Sequence, residues 1–277
     1  MKLFARAKIN LSLRILGRRD DGFHELESLM TPISLGDTLE VSRREKGGLE
    51  FFCDDLTIPL GEENLVVRAV RVFCGAAGVD PDLRIGLTKR IPHGAGLGGG
   101  SSDAATILLG LNQLFGTGLS RDELSVLGAS LGSDVPFFVY ESAARIGGRG
   151  ERVEPVVLGE KLSLVLMKPN FGVPTPWAYS RWKESREIPS VRYGVQEFPW
   201  GELVNDLERP VFEKYLLLAD IKMWLLGQAE VVGALMSGSG STMFAVLDEG
   251  RSGEGLVSRI REEFGVGMWV RAVETVG

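Results

Sequence analysis

The most constraining feature of this 277-residue chain is a glycine run that passes directly into an amphipathic segment. Residues 92–105 are Pro-His-Gly-Ala-Gly-Leu-Gly-Gly-Gly-Ser-Ser-Asp-Ala-Ala, with five glycines in the seven positions 94–100. Glycine accepts positive φ and lets a ligand approach bare backbone amides. Ser101 or Ser102 is a natural N-cap for a helix whose apolar residues follow at helical spacing. A glycine loop that leads into a helix N-terminus favours phosphate binding, because unpaired N–H groups and the positive end of the helix dipole meet there.

The composition is that of an ordinary globular protein and argues against several classes of function. The net charge is −6 with no basic block, whereas a general nucleic-acid binder usually shows a basic face. Two cysteines and two histidines offer no spacing typical of a zinc site or redox pair. The N-terminal sequence lacks the apolar core of a signal peptide, and no apolar run approaches the ~20 residues that cross a bilayer. We therefore expect a reduced, soluble, cytoplasmic protein with no nucleic-acid or membrane partner.

The apolar patterns predict an α+β chain of two domains. Residues 3–14 alternate strictly, which predicts a half-buried strand with Lys8 and Asn10 side by side on its second face. Because strands and helices intermix without a regular βαβ rhythm, α+β is the expected fold class. A composition shift after residues 147–150 suggests domains at 1–155 and 156–277. The other predicted strands are 27–33, 83–87, 135–140, 162–167, 242–247 and 268–273, with a hairpin of 37–43 and 49–53; the other predicted helices are 64–75, 122–131, 213–227 and 253–264.

Several other kinds of glycine loop do not fit this sequence. A P-loop requires Gly-Lys-Ser or Gly-Lys-Thr, and the chain has no Gly-Lys dipeptide. A dinucleotide pattern occurs at Gly94, Gly96 and Gly99, but no strand that ends in an acidic residue follows at the expected distance. The motifs of protein kinases are absent. A flexible linker is the remaining alternative, although a linker gains nothing from the capped helix that follows.

The glycine loop resembles that of the GHMP family of small-molecule kinases. Pro-x-x-x-Gly-Leu-Gly-Gly-Gly-Ser-Ser spans residues 92–102. Further matches follow in the family's order from end to end: Ala-Lys-Ile-Asn-Leu at 7–11, Asp-Gly-Phe-His-Glu-Leu at 21–26, Glu-Asn-Leu-Val-Val-Arg-Ala at 63–69, Leu-Gly-Ser-Asp-Val-Pro-Phe-Phe at 131–138, Pro-Thr-Pro at 174–176, Asn-Asp-Leu-Glu at 205–208 and Ser-Gly-Ser-Gly-Ser-Thr at 237–242. The resemblance implies an N-terminal domain like domain 2 of ribosomal protein S5 and a ferredoxin-like α/β-plait C-terminal domain. It also implies an ATP-dependent kinase of the non-mevalonate isoprenoid route that phosphorylates the 2-hydroxyl of a cytidine diphosphate alcohol.

The resemblance assigns the chemistry to a pair of charged residues. Asp134, on its own an ordinary turn or cap residue, matches the base that accepts the proton of the substrate hydroxyl. Lys8, on its own a solvated strand residue, matches the lysine beside that aspartate. An ammonium there keeps the carboxylate ionised and helps neutralise the transferring phosphoryl group. Asn10 projects from the same strand face and is expected to orient the substrate diol.

The resemblance also assigns the nucleotide side of the site. Asn64 and Lys89 match positions near the nucleotide, although an N-cap and a solvated strand end are equally good interpretations of them. We expect Mg²⁺ on the ATP phosphates, with no protein ligand assigned and Ser101, Ser102 and Asp103 as candidates. The residues expected to bind the nucleotide are Asn64, Lys89, Pro92, Gly94, Gly96, Leu97, Gly98, Gly99, Gly100, Ser101 and Ser102.

On the acceptor side, Phe23 and His24 stand where the family binds cytosine. Phe23 replaces the usual tyrosine, which removes a hydroxyl but keeps a stacking surface. Tyr179 resembles the aromatic residue that closes the other side of the base. The residues expected to bind the acceptor are Asn10, Phe23, His24, Thr175, Tyr179 and Asp103, with the small-residue loop 237–242 beside its diphosphate.

Two other functions remain open from the sequence. One is a GHMP kinase that acts on homoserine or mevalonate, against which Phe23 and His24 argue. The other is a silent nucleotide-binding protein that has lost the chemistry, against which the presence of both Lys8 and Asp134 argues. The expected small-molecule partners are ATP and a cytidine diphosphate alcohol, and we expect a monomer or weak homodimer.

Overall fold

The larger of two β-sheets is built on two long antiparallel strands, β1 (Lys2–Arg18) and β2 (His24–Arg43). The structure is a computed structural model that describes residues 1–276. The remaining strands of this sheet are β3 (Glu50–Cys53), β4 (Leu83–Thr88), β5 (Ala144–Gly148), β6 (Arg152–Pro155), β8 (Gln196–Phe198) and β9 (Gly201–Asn205). One half of β2 pairs with β4 and the other with β5, while β9 runs parallel to β1.

Strand β1 shows the alternation that its sequence predicts, but both of its faces are covered. Ala7 and Ile9 on the apolar face are fully buried. Lys8 and Asn10 on the opposite face are only 4% and 3% exposed. A strand that buries polar side chains must supply them with partners, since an unpaired buried charge is costly. The polar face of β1 therefore marks an organised site.

Four helices pack on the larger sheet. Asn64 caps α1 (Leu65–Ala77) by accepting a hydrogen bond from the Val66 amide at 2.8 Å. Helix α3 (Arg121–Ala129) begins with a capping box formed by Ser120 and Glu123. The other two helices are α2 (Gly99–Phe115) and α4 (Val135–Tyr140).

The structure corrects three local predictions. Residues 135–140 form a helix, not a strand, because Pro136 is favourable in a first helical turn and short apolar runs do not distinguish the two. Residues 37–43 and 49–53 are not a hairpin, since β3 pairs in parallel with β4. The N-cap of α2 is Gly98 rather than Ser101 or Ser102, so the helix begins two residues inside the glycine run.

The second sheet has the order β10-β11-β7-β12, formed by β7 (Ser163–Lys168), β10 (Val231–Met236), β11 (Met243–Leu247) and β12 (Trp269–Glu274). The helices of this region are α5 (Thr175–Arg181), α6 (Glu208–Lys214), α7 (Leu216–Leu226) and α8 (Glu254–Phe264). The single helix predicted over 213–227 is divided at Tyr215, whose φ and ψ of −112° and 70° are not helical.

A shared apolar core joins the two sheets. It contains Ala7, Ile9 and Leu11 from β1 together with Leu166 from β7 and Phe244 from β11. Each sheet also packs its own core against its helices. The strand that carries Lys8 is thus held from both sides. In the described part of the chain no helix has the length and apolar character to cross a membrane.

Candidate active site

A cleft of about 910 Å³ lies between the glycine loop, the polar face of β1 and helix α5. It brings together residues that are far apart in sequence, from β1 to the loop after β10. The site residues predicted from the sequence that line it are Lys8, Asn10, Phe23, His24, Asn64, Lys89, Pro92, Gly94, Gly96, Leu97, Gly98, Gly99, Gly100, Ser101, Asp103, Asp134, Thr175 and Tyr179.

The glycine loop is fixed by contacts that only glycine permits. Gly96 has a φ of +74°, and a Cβ there would lie 2.2 Å from the carbonyl oxygen of Ser237. Gly98 has a φ of +70°, and its Cβ would lie 2.7 Å from the ring of Phe138. The loop is also tied to β1, because the Lys8 amide donates to the Leu97 carbonyl at 3.0 Å. The loop is thus a rigid part of the cleft wall.

The two serines after the loop have different roles. Ser102 is 1% exposed, and its hydroxyl donates to the Arg6 carbonyl at 2.6 Å, which fastens the start of α2 to β1. Ser101 is half-buried and lines the cleft. Of the two predicted nucleotide contacts, Ser101 therefore has the accessible hydroxyl.

Lys8 links two polar residues at the floor of the cleft. Its Nζ donates to Asn10 Oδ1 at 2.7 Å and lies 3.7 Å from Asp134 Oδ2. Asn10 in turn donates to Ser28 Oγ at 2.9 Å, which fixes its amide. The Asp134 side chain is 41% exposed and, within the described chain, makes no capping hydrogen bond to α4. Its carboxylate is therefore available to a ligand.

Electrostatics couple the floor of the cleft to its aromatic wall. Burial lowers the pKa of Lys8, while the neighbouring Asp134 carboxylate acts in the opposite direction. Burial raises the pKa of the Tyr179 hydroxyl, and the charge of Asp134 adds to this effect. Tyr179 accordingly stays a neutral phenol beside the Lys8–Asp134 pair.

Aromatic rings form the wall beyond Asp134. The rings of His24 and Tyr179 stack with centroids 5.5 Å apart, and Trp182 meets His24 edge-on at 6.1 Å. Burial and the charges of Arg18 and Lys183 lower the pKa of His24, which favours the neutral imidazole. A neutral imidazole carries one donor and one acceptor, as recognition of a base edge requires.

Phe23 is half-exposed at the mouth of the cleft. Its ring lies under the guanidinium of Arg149, 5.1 Å from the ring centroid. Gly148 and Gly150, with φ of +71° and +123°, bring Arg149 to this position at the tip of the β5–β6 turn. One face of the exposed ring is thus covered by a cation.

A second loop, formed by residues 237–242, packs directly against the glycine loop. Ser237 Oγ donates to the Gly96 carbonyl at 3.0 Å. Ser239 Oγ lies 2.8 Å from Thr175 Oγ1, at the start of α5. The sequence predicts this small-residue loop beside the acceptor, and in the structure the loop touches both sides of the cleft.

Lys89 and Asp103 form a buried ionic cluster with Asp37. Lys89 Nζ donates to Asp103 Oδ2 at 2.8 Å and also pairs with Asp37. Burial raises the pKa of Asp103 to about 7; Lys89 opposes this effect, and Asp37 adds to it. Its Oδ1 is buried without a partner in the described chain. A substrate contact by Asp103 stays a prediction.

Asp37, Arg149 and Trp182 contribute to the cleft or its support but are not among the residues predicted from the sequence. Asp37 is fully buried and accepts hydrogen bonds from the Arg90 and Ile91 amides just before the glycine loop. No local pattern indicates a partner more than fifty positions away. Trp182 follows Tyr179 by three residues, a spacing that puts both on one helical face and that signals a shared surface.

Comparison with known proteins identifies the family. The GHMP kinases N terminal domain matches residues 64–142, and the GHMP kinases C terminal domain matches residues 198–266. A 4-diphosphocytidyl-2-C-methyl-D-erythritol kinase of Methylacidiphilum infernorum is 42% identical to this chain, over 98% of this chain and 95% of the relative. The chain belongs to this family of GHMP kinases.

Other members of the family agree. The 4-diphosphocytidyl-2-C-methyl-D-erythritol kinase of Syntrophotalea carbinolica is 44% identical, over 89% of each chain. A crystal structure of 4-(cytidine 5'-diphospho)-2C-methyl-D-erythritol kinase covers 100% of both chains with a TM-score of 0.82 and 36% identity. The homoserine kinase of Cytophaga hutchinsonii has a TM-score of 0.71 at 19% identity, which shows a common fold alone. The predicted family, α+β GHMP fold and kinase class are confirmed.

Proposed function

We propose that the protein transfers the γ-phosphoryl group of ATP to the 2-hydroxyl of 4-diphosphocytidyl-2-C-methyl-D-erythritol. The observation that carries the proposal is the Lys8–Asp134 pair, 3.7 Å apart, between the glycine loop and an aromatic wall. The two relatives that are 42% and 44% identical bear the name of this kinase, and their alignments cover 98% and 89% of this chain.

Asp134 acts as the base in this proposal. Its carboxylate accepts the proton of the acceptor hydroxyl as the γ-phosphoryl group arrives in line. The Lys8 ammonium lies 3.7 Å from the Asp134 carboxylate, where it can neutralise the charge that develops on the transferring group. Asn10 holds the Lys8 ammonium on one side and leaves Asp134 open to the acceptor on the other. Positioning and electrostatics thus account for the catalysis.

The glycine loop holds the ATP phosphates through main-chain amides at the start of α2. The Mg²⁺ that accompanies ATP would find two oxygen donors here, the accessible hydroxyl of Ser101 and the unpartnered Oδ1 of Asp103. Oxygen donors of this kind suit Mg²⁺, which supplies charge neutralisation on the phosphates when bound. Within residues 1–276 no cluster of three His, Cys, Asp or Glu side chains forms a further metal site.

The aromatic wall supplies recognition of the cytosine. Phe23 offers one exposed ring face, and the neutral His24 offers a donor and an acceptor. Tyr179 closes the wall by stacking on His24. This arrangement supports a cytidyl acceptor over homoserine or mevalonate, neither of which carries a planar base.

The test is ADP release by the purified protein with ATP and each candidate acceptor. We expect turnover with the cytidyl alcohol and background rates with homoserine and mevalonate. Phosphorus NMR of the product then locates the new phosphate at the 2-hydroxyl. Turnover with homoserine or mevalonate but not with the cytidyl alcohol would refute the proposed acceptor. No turnover with any alcohol despite ATP binding would indicate the silent nucleotide-binding protein instead.

A further inference from the structure

The segment Asn-Asp-Leu-Glu at 205–208 lies outside the cleft, and the proposed chemistry does not use it. It begins at Asn205, the last residue of β9, and Asn205, Leu207 and Glu208 are buried. Asp206 Oδ2 accepts a hydrogen bond from the Ile15 amide at 2.7 Å, so the segment is anchored to β1. The side chains of Asn205 and Glu208 bond to the main chain at Met236 and Gly238, where the loop 237–242 begins.

Asn205 uses every polar atom of its amide. Its Nδ2 donates to the Met236 carbonyl at 2.7 Å and to the Gly238 carbonyl at 2.8 Å. Its Oδ1 accepts from the Leu207 amide at 2.9 Å. The residue is 5% exposed, so water cannot readily replace these bonds.

Glu208 also holds the end of β10 at Met236, through the main-chain amide of that residue. Its Oε1 accepts from the Met236 amide at 2.9 Å, while Oε2 pairs with Lys222. Both side chains of this pair are 1% exposed. Asn205 and Glu208 together therefore satisfy both main-chain polar groups of Met236, the last residue of β10.

The loop that begins there touches the reactive pair. A Cβ on Gly238 would lie 3.4 Å from Lys8 Nζ and 3.3 Å from Asn10 Oδ1, so the backbone of this glycine faces both groups. Its neighbours Ser237 and Ser239 bond to the glycine loop and to Thr175. A shift of Gly238 would move the wall against which Lys8 is placed.

We propose that Asn205 and Glu208 are positioning residues that set the place of the loop 237–242 relative to Lys8 and the glycine loop. The inference deepens the proposed kinase function and rests on it. Neither side chain touches the substrates; both act through the backbone of residues 236–238. Misplacement of reacting groups by about 1 Å costs on the order of 100-fold in rate.

The test compares the kinetics and the melting temperature of the variant Asn205→Ala with those of the control variant Asn112→Ala. Asn112 is a matched control, since its amide also organises a turn: Nδ2 donates to the Leu119 carbonyl at 2.9 Å and Oδ1 accepts from the Leu119 amide at 3.0 Å. That turn lies at the far end of α2 from the cleft. We expect both variants to melt at lower temperature. Only Asn205→Ala should lower kcat/KM for the acceptor, by on the order of 100-fold, measured well below both melting temperatures.

A kcat/KM for Asn205→Ala equal to that of Asn112→Ala would overturn the proposal. If Asn205→Ala does not fold, Asn205→Leu decides, because it keeps the size and shape of the side chain and loses both donated bonds without placing a buried charge against the two carbonyl oxygens. Wild-type protein is assayed first with the cytidyl alcohol. Should it phosphorylate a different alcohol, the proposed acceptor fails, while the comparison of the two variants is made with that alcohol and remains decisive.

Discussion

The glycine-loop side of the cleft is made of main chain, whereas the aromatic side is made of side chains. Gly96 and Gly98 press against the Ser237 carbonyl and the Phe138 ring at distances that exclude any Cβ. Phe23, in contrast, is half-exposed and supported chiefly by one guanidinium. The glycine-loop side is rigid because its main chain packs so closely against neighbouring groups that only glycine fits there. The aromatic side depends on particular rings that single substitutions remove one at a time.

Asp134 lies where the glycine-loop side and the aromatic side of the cleft meet. Its replacement should leave the binding of ATP to the first and of the acceptor to the second largely unchanged. We expect Asp134→Asn to lower kcat by on the order of 1,000-fold, because a general base contributes about 10²–10⁴ to the rate. The KM values for ATP and acceptor should change little. Steady-state kinetics with each substrate varied in turn measure both quantities. Near-normal turnover would exclude Asp134 as the base.

The substitution Gly96→Ala should displace the glycine loop, which forms the main-chain side of the cleft. The new Cβ would meet the Ser237 carbonyl oxygen at 2.2 Å in a backbone of φ +74°, so the loop must shift. We expect kcat/KM for ATP to fall on the order of 100-fold, as for any displaced binding loop. Gly75→Ala is the control, because its Cβ meets nothing within 4 Å on the exposed face of α1. Equal kinetics for the two variants would contradict a rigid loop.

Phe23→Ala should weaken the side-chain surface alone. Stacking of a base on an aromatic ring is worth about 1–3 kcal/mol, so KM for the acceptor should rise roughly tenfold with kcat nearly unchanged. Phe52→Ala is a close match, since Phe23 and Phe52 are 50% and 49% exposed and each lies under an arginine. Initial rates over a range of acceptor concentrations give KM for both. Equal KM values for the acceptor in Phe23→Ala and Phe52→Ala would refute the stacking role of Phe23.

Asp103→Asn should produce the smallest effect, a pH-dependent change in stability. Burial raises the pKa of Asp103 from 3.8 to about 7. The folded state therefore holds this proton more tightly than the unfolded state, and the associated stability is lost as pH rises through 7. Asparagine does not titrate. The melting temperature of Asp103→Asn minus that of wild type should become more positive between about pH 4 and pH 7. Thermal unfolding of both proteins at several pH values measures this difference. A difference that does not change with pH would contradict the raised pKa of Asp103.

The sequence predicted the parts of the site that local pattern controls. Strict alternation in β1 put Lys8 and Asn10 on one face, and the structure shows them joined at 2.7 Å. The glycine run before α2 indicated residues that can adopt positive φ, and Gly96 and Gly98 do so in the structure. Both features depend on neighbours in the chain, which is why periodicity and glycine content indicate them.

The rest depends on partners that the chain brings from a distance. Asp37 has no local signal, because its partner Lys89 and the Arg90 amide follow β4, more than fifty residues along the chain. The segment 135–140 was predicted as a strand because six apolar residues carry no period long enough to distinguish helix from strand. The role of Asn205 depends on carbonyls more than thirty residues away. Resemblance to a family singled out the segment 205–208 but not Asp37, and spacing indicated neither.

The main-chain character of the glycine loop bears on how this site would respond to an inhibitor. A compound that replaces the triphosphate would bond to backbone N–H groups, which every amino acid except proline supplies. A substitution could weaken that binding only by moving the loop, with loss of ATP as well. A compound seated on the rings of Phe23 and Tyr179 would depend on side chains that one codon change can replace. Resistance would therefore arise on the aromatic wall, and the loop is the more durable target.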